Sequence, residues 1–285
     1  MRPAGANMSA DERRRVDTGS DDLLARIENN VLVVNLNRPA QRNALSRAIL
    51  NGLAVLFQRA ARDPDVRALL IGGAGGSFCA GADVGAMNER QVAAQQPPNF
   101  EASVEALRAD QDGVIAALFE LPKPTIAAID GAVAGGGVGL ALACDFRIAA
   151  PSAFLTTAFA KLGFSGDYGG SWLLTHLVGA TRAREFYYLS ERIDAPTCER
   201  LGIFWRVVSA ETLDREARAL AERLARGPTV AYRYMKENLN RAMTADFRTA
   251  LDAEAYSMAR CSQTEDHREA VKAFMEKKAP VFNGR

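Results

Sequence analysis

Twice in this chain a short apolar run gives way to a cluster of glycines, and this repeated junction constrains the fold more than any other feature. Residues 66–71 run straight into Gly72-Gly73-Ala74-Gly75-Gly76, and the apolar run 125–129 is followed by Gly135-Gly136-Gly137. An apolar run of four to eight residues bounded by turn residues reads as a buried strand. Glycine at its carboxyl end lets the backbone turn tightly or approach another backbone closely. Ahead of the first junction, Ser46 is a candidate N-cap, and Leu45, Ile49, Leu53, Leu56 and Ala60 recur at steps of four and three until Asp63-Pro64. That spacing predicts a helix with one buried face, and so a β-α-β unit with a glycine loop at the end of its second strand. On spacing alone a glycine run is more often turn geometry than a ligand site. GxxxxGK[ST] is absent and GGAGGSF is not GxGxxG at a βα turn, which removes the nucleoside triphosphate and dinucleotide readings.

The remaining elements follow the same logic. Residues 23–27 and 31–36 flank Glu28-Asn29-Asn30, which suits a hairpin because Asn tolerates left-handed backbone angles. A helix is expected over 100–120, broken by Pro122 and Pro124, then a strand over 125–129. Residues 138–144 are small and apolar on every side, as in a fully buried helix, and 145–149 reads as another strand. Beyond Thr181 the pattern is mostly helical: Leu213, Ala217, Leu220 and Leu224 share one face, and amphipathic stretches cover 229–241 and 247–260. The expected organisation is a disordered arm over 1–20, an α/β core over 21–210 and a helical region over 211–285.

Charge narrows the partners. With 35 basic residues, 34 acidic ones and 2 His, the net charge of +1 supplies no global attraction for nucleic acid or an anionic membrane. Cys79, Cys144, Cys198 and Cys261 lack CxxC spacing, so reduced thiols are expected rather than disulfides or a zinc site. The first twenty residues are rich in Arg and Asp, lack a signal-peptide apolar stretch, and no apolar window long enough for a membrane span follows. A cytoplasmic protein is expected.

Several segments, in order, resemble the signature of the crotonase (enoyl-CoA hydratase/isomerase) family. They are Leu36-Asn37-Arg38-Pro39 with Arg42-Asn43-Ala44-Leu45, Ser77-Phe78-Cys79-Ala80-Gly81-Ala82-Asp83, Lys123-Pro124-Thr125 through Asp130-Gly131, and Gly135-Gly136-Gly137 through Ala143-Cys144-Asp145. The resemblance continues through Gly169-Gly170, Leu177-Val178-Gly179, Leu201-Gly202 and residues 274–284. It implies an α/β fold of the crotonase-like type, a superhelical core of ββα turns with a C-terminal helical trimerisation region, assembled as a trimer or dimer of trimers. It also implies an acyl-CoA thioester as substrate, a place in fatty-acid metabolism, and no cofactor or metal beyond the coenzyme A of the substrate. In the family, one backbone N–H from each glycine loop binds the thioester oxygen, and those positions correspond here to Ala82 and Gly136. Preorganised donors at a developing enolate are worth about 2.7–4 kcal/mol each.

The chain departs from the hydratase pattern. Where the family's hydratases carry two glutamates that hold the water, the alignment places Gly139 and Phe159. Neither transfers a proton, so hydration lacks its general acid–base pair. The segment around Ser165-Gly166-Asp167-Tyr168-Gly169-Gly170 instead resembles 1,2-epoxyphenylacetyl-CoA isomerase-type members, and Asp167 stands where several non-hydratase relatives place an aspartate. Without that resemblance an Asp between glycines is a turn residue. The leading expectation is an isomerase in which Asp167 moves a proton on an unsaturated or ring-derived acyl chain. Open alternatives are a hydratase with non-standard acid/base groups, an acyl-CoA hydrolase or dehalogenase-like enzyme with Asp167 as nucleophile, and a non-catalytic CoA-binding or interaction protein. Phe159, Phe164, Tyr168 and Trp172 are candidates for the acyl pocket, and Arg42, Lys272, Lys277 and Lys278 for coenzyme A phosphates. Ala80 and Asp83 are grouped with the coenzyme A contacts, Asp83 also as a brace of its loop. His176 reads as a packing residue and His267 as part of a solvated helix start.

Overall fold

The computed structural model describes residues 15–93 and 99–285. The chain opens with β1 (Arg15–Val16), β2 (Leu23–Glu28) and β3 (Val31–Leu36), an antiparallel set. Asn29 and Asn30 both take left-handed angles, φ 50° and 60°, as a two-residue hairpin turn requires. Of the arm expected over 1–20, residues 1–14 lie outside the described residues. The rest is not disordered: Val16 is buried and β1 pairs with β2. Averaged over twenty residues, the composition concealed one apolar side chain at the sheet edge.

Ser46 caps α1 (Arg47–Arg62), its Oγ accepting from the Ile49 N–H at 3.2 Å, and Ile49, Leu53, Leu56 and Ala60 are all buried. Then come β4 (Ala68–Gly73), α2 (Val84–Ala93) and α3 (Phe100–Asp110), which continues through a π-helical turn, Gln111–Ala116, into α4 (Ala117–Phe119). β5 (Thr125–Ile129), β6 (Ala132–Ala134) and α5 (Gly136–Leu142) follow, then β7 (Phe146–Ala149), β8 (Phe154–Thr156) and α6 (Gly170–Leu189). The chain closes with β9 (Ile193–Asp194), α7 (Ala195–Arg200), β10 (Arg206–Val207), α8 (Leu213–Ala225), α9 (Thr229–Ala242), α10 (Phe247–Ser262) and α11 (Glu265–Met275).

The larger sheet has the order β1-β2-β3-β4-β5-β7-β10, parallel from β3 onwards, and the smaller has the order β6-β8-β9. β5, β6 and α5 make one ββα turn; β7, β8 and α6 make the next. Cys79 joins the small sheet's register by bridging to Val133, so the first glycine loop is built like the later turns. The chain thus has the α/β architecture of repeated ββα turns with helices at its C-terminal end.

Strand alternation splits the core between the two faces of the large sheet. Leu32, Val34, Leu69 and Ile71 pack on α1 and the central α5, while Val31, Val33, Leu70 and Ile126 pack on the other face. That second face is covered by α8 through Leu213, Ala217, Ala221 and Ala225. The helix that opens the expected 211–285 region is therefore part of the sheet's own core.

Candidate active site

The first glycine loop is held from both sides. The Ala80 N–H donates to the Arg42 carbonyl at 2.9 Å and the Leu45 N–H to the Gly81 carbonyl at 2.8 Å. From the small sheet, the Cys79 N–H donates to Ala132 at 3.0 Å and the Ala134 N–H to Cys79 at 2.9 Å. Asn43, fully buried, donates to the carbonyls of Ala74 and Ser77 and accepts from the Arg38 N–H. Such lacing fixes backbone groups before any ligand arrives.

The two loops meet at van der Waals contact. Gly81 has φ 84°, and a Cβ there would stand 2.6 Å from the Ala134 carbonyl oxygen and 3.1 Å from the Gly136 nitrogen. Gly135 has φ 50° and ψ −126°, a conformation other residues avoid, and hands the chain to Gly136 as the first residue of α5. Among the described residues neither the Ala82 nor the Gly136 N–H donates a hydrogen bond. Two unpartnered donors on adjoining, rigidly held loops can receive a single oxygen atom that gains negative charge.

Asp167 is brought to the same place. Its Oδ1 lies 3.4 Å from where a Cβ on Gly136 would stand, and it is buried without a hydrogen-bond partner. Burial alone pushes its carboxyl up from the ordinary 3.8 to about 6. Tyr168, at φ 50°, covers α5: its ring is 2.7 Å from the Cβ position of Gly136, and its carbonyl oxygen occupies the Cβ position of Gly139. Gly139 is thus required by packing, since a side chain there would strike backbone. Phe159 is buried, with Cε1 3.9 Å from the Cβ position of Gly135 and Cδ2 3.6 Å from that of Gly166. It lines the space beside Asp167, as does Tyr168.

Other expected residues stand elsewhere. Phe164 is 55% exposed, and Trp172, 38% exposed, packs edge-on against Phe119 and over His176. The aromatic that joins Phe159 is Tyr187 on α6, stacked at 5.9 Å. Nothing in Glu185-Phe186-Tyr187-Tyr188-Leu189 distinguishes Tyr187 as a sequence signal, because its proximity depends on the path between Gly166 and α6. His176 is exposed rather than packed in the core, its ring N–H donating to the Trp172 carbonyl at 2.9 Å. His267 lies in the exposed first turn of α11, its backbone N–H donating to the capping Thr264 hydroxyl. Cys79 and Cys144 are buried, and desolvation pushes both thiols up to about 12, which removes them as nucleophiles.

Asp83 braces its loop: Arg38 pairs with it at 2.8 Å, and its Oδ1 accepts from the Ala86 N–H at the start of α2. Arg42 is exposed, at φ 49°, beside Ala80. Lys272 and Lys277 are exposed on and just after α11, and no hydrogen bond or ion pair ties their side chains to the Arg42 loop. Among the described residues no His, Cys, Asp and Glu group is placed to hold a metal ion, and no helix is long and apolar enough to cross a membrane.

Two backbone donors at the junction of ββα turns, with a buried carboxyl beside them, form a site that can receive one oxygen gaining negative charge next to a group able to exchange a proton. Residues 26–285 match the enoyl-CoA hydratase/isomerase family model. The chain is 38% identical over 264 residues to the 1,2-epoxyphenylacetyl-CoA isomerase of Escherichia coli (strain K12), covering 92% of this chain and 98% of that one. It is 33% identical over 252 residues to the short-chain-enoyl-CoA hydratase of Clostridium acetobutylicum, covering 88% and 93%. The solved enoyl-CoA hydratase of Bacillus anthracis superposes with a TM-score of 0.84 at 33% identity, over 93% of this chain and 100% of that one. The chain belongs to the enoyl-CoA hydratase/isomerase, or crotonase, family of acyl-CoA enzymes.

Proposed function

We propose that this protein isomerises an unsaturated or ring-derived acyl-CoA through a thioester enolate, with Asp167 as the acid/base. The observation that carries the reading is the unpartnered, buried Asp167 Oδ1 beside Gly136, whose N–H is itself unpartnered. In a 3-enoyl thioester the Asp167 carboxylate takes a proton from the carbon next to the thioester. The bonding electrons move onto the thioester oxygen, which accepts hydrogen bonds from the Ala82 and Gly136 N–H groups. The carbonyl then reforms, the double bond shifts towards it, and protonated Asp167 returns the proton to the fourth carbon. A carboxyl at about 6 is mostly ionised at neutral pH yet basic enough for the first transfer. The backbone donors carry the charge, so no cofactor or metal is needed beyond the coenzyme A of the substrate.

Isomerisation is favoured over hydration because Tyr168 fills the space above Gly139 and Phe159 stands at the second position, leaving water without a carboxylate pair. The similarity to an isomerase and to a hydratase supports the acyl-CoA chemistry common to both. Arg42, Lys272 and Lys277 are the proposed phosphate contacts. Incubation with 2-enoyl-, 3-enoyl- and aryl-acetyl-CoA thioesters, followed by mass and chromatography, tests the reading. A product of unchanged mass is expected. A gain of one water, release of free coenzyme A, or no reaction with any of the three would overturn it.

A further inference from the structure

Tyr187 is the second buried polar group at this site without a partner. Its hydroxyl, like Asp167 Oδ1, has no partner in ordinary hydrogen-bond geometry, the Ser171 hydroxyl of the same helix interacting with it only weakly. The phenol occupies room left by the two glycines that flank Asp167. Its Cε1 is 2.8 Å from the Cβ position of Gly166, and its hydroxyl is 2.9 Å from that of Gly170. Phe159 links this point to the thioester end, because one edge of its ring lies against Gly135 and the other against Gly166, with Tyr187 stacked on it. Asp167 thus lies against Gly136, and the Tyr187 phenol lies against Gly166 and Gly170 on either side of Asp167 in the chain.

A buried hydroxyl left unpaired is destabilising, and native structures rarely keep one unless a ligand or water completes it. Two such groups close together are satisfied only by complementary atoms brought in from outside the fold. A plain hydrocarbon chain offers none. The phenol keeps its proton, since burial and the neighbouring Asp167 charge push it up to about 12, with the Ser171 hydroxyl acting the other way. It is therefore a donor seeking an acceptor.

We infer that Tyr187 is a specificity contact, its hydroxyl donating to an oxygen in the acyl chain beyond the thioester, so that chains bearing a hydroxyl, ether, epoxide or keto oxygen are selected over hydrocarbon chains. The inference rests on the isomerase reading only for where the chain lies. Sites built to hydrogen-bond a substrate oxygen discriminate far more strongly than apolar pockets discriminate a methylene.

The test compares 3-hexenoyl-CoA with 3-hexenoyl-CoA hydroxylated at its fifth or sixth carbon, on wild type and on Tyr187→Phe. The wild type is expected to favour one hydroxylated substrate, and Tyr187→Phe to lower that kcat/KM ratio about tenfold or more. The acid limb of the pH profile is expected to stay where it was, and the melting temperature to change little, since no hydrogen bond of ordinary geometry holds the hydroxyl within the fold. An unchanged ratio overturns the inference. So does a shifted acid limb with both substrates slowed equally, which would make Tyr187 a positioning residue for Asp167. Calorimetric affinities for hexanoyl-CoA and its hydroxylated counterparts need no turnover. They decide the role of Tyr187 even if isomerisation is absent, and so separate its failure from failure of the isomerase reading.

Discussion

Asp167 and Gly139 carry the residue-scale argument, one by what it can do and the other by what it cannot admit. Asp167 holds its proton more tightly folded than unfolded, because burial penalises its charge. Below the ordinary carboxylate range both states are protonated and the group costs nothing. As pH rises through about 6 the folded state takes on a buried charge that the unfolded chain keeps in water, and stability is lost. Asp167→Asn is therefore expected to melt higher than wild type at about pH 8 and alike at about pH 3, where both forms are neutral. Thermal melts at the two pH values check this. Under the proposed mechanism catalysis runs the other way: a carboxylate base must be ionised, so wild-type kcat/KM is expected to fall as pH drops below about 6. Gly139→Glu, the substitution that would restore one hydratase carboxylate, sets a Cβ onto the Tyr168 carbonyl oxygen. It is expected to cost about 1–3 kcal/mol of stability by overpacking, without conferring hydration. Urea melts and a crotonyl-CoA assay measure both.

Secondary-structure elements show which family motifs brace the fold. Lys123 donates to the carbonyls of Ala60 and Asp63, tying the end of α1 to the start of β5. Asp145 accepts from the Thr125 N–H at 2.8 Å and pairs with Lys236 of α9 at 3.1 Å. These motif residues brace strands and helices against one another. The hairpin, α1, β5 and the buried α5 were legible because apolar period and turn residues mark them locally. α5 begins two residues earlier than patterning placed it, since Gly136 and Gly137 carry no apolar signal. The first loop was legible as a glycine turn, but that Ala82 and Asp167 belong to a site was legible only through family resemblance. Tyr187 was not legible, because tertiary path alone puts it beside Gly166. Gly179 interrupts α6 at φ 75° and ψ 162°, with open space around its Cβ position. Gly179→Ala is thus expected to lose about 1–3 kcal/mol through backbone strain alone, readable as a lower denaturation midpoint at unchanged slope.

At the scale of the molecule, the C-terminal helices leave large apolar side chains in solvent, among them Leu239 at 69%, Phe247 at 74% and Phe274 at 81% exposure. Exposed apolar residues of this size on consecutive helices suit a protein contact, and we propose assembly as a trimer or dimer of trimers. Sedimentation at micromolar concentration is expected to give a trimer or a hexamer; a monodisperse monomer would refute that proposal. The central claim, that Asp167 moves a proton at the carbon beside the thioester, is open to direct measurement by deuterium uptake. The wild type in heavy water is expected to exchange that hydrogen on a 3-enoyl-CoA, and Asp167→Asn to exchange it about 10² times more slowly with thioester affinity little changed. Exchange at the wild-type rate in Asp167→Asn would contradict the account.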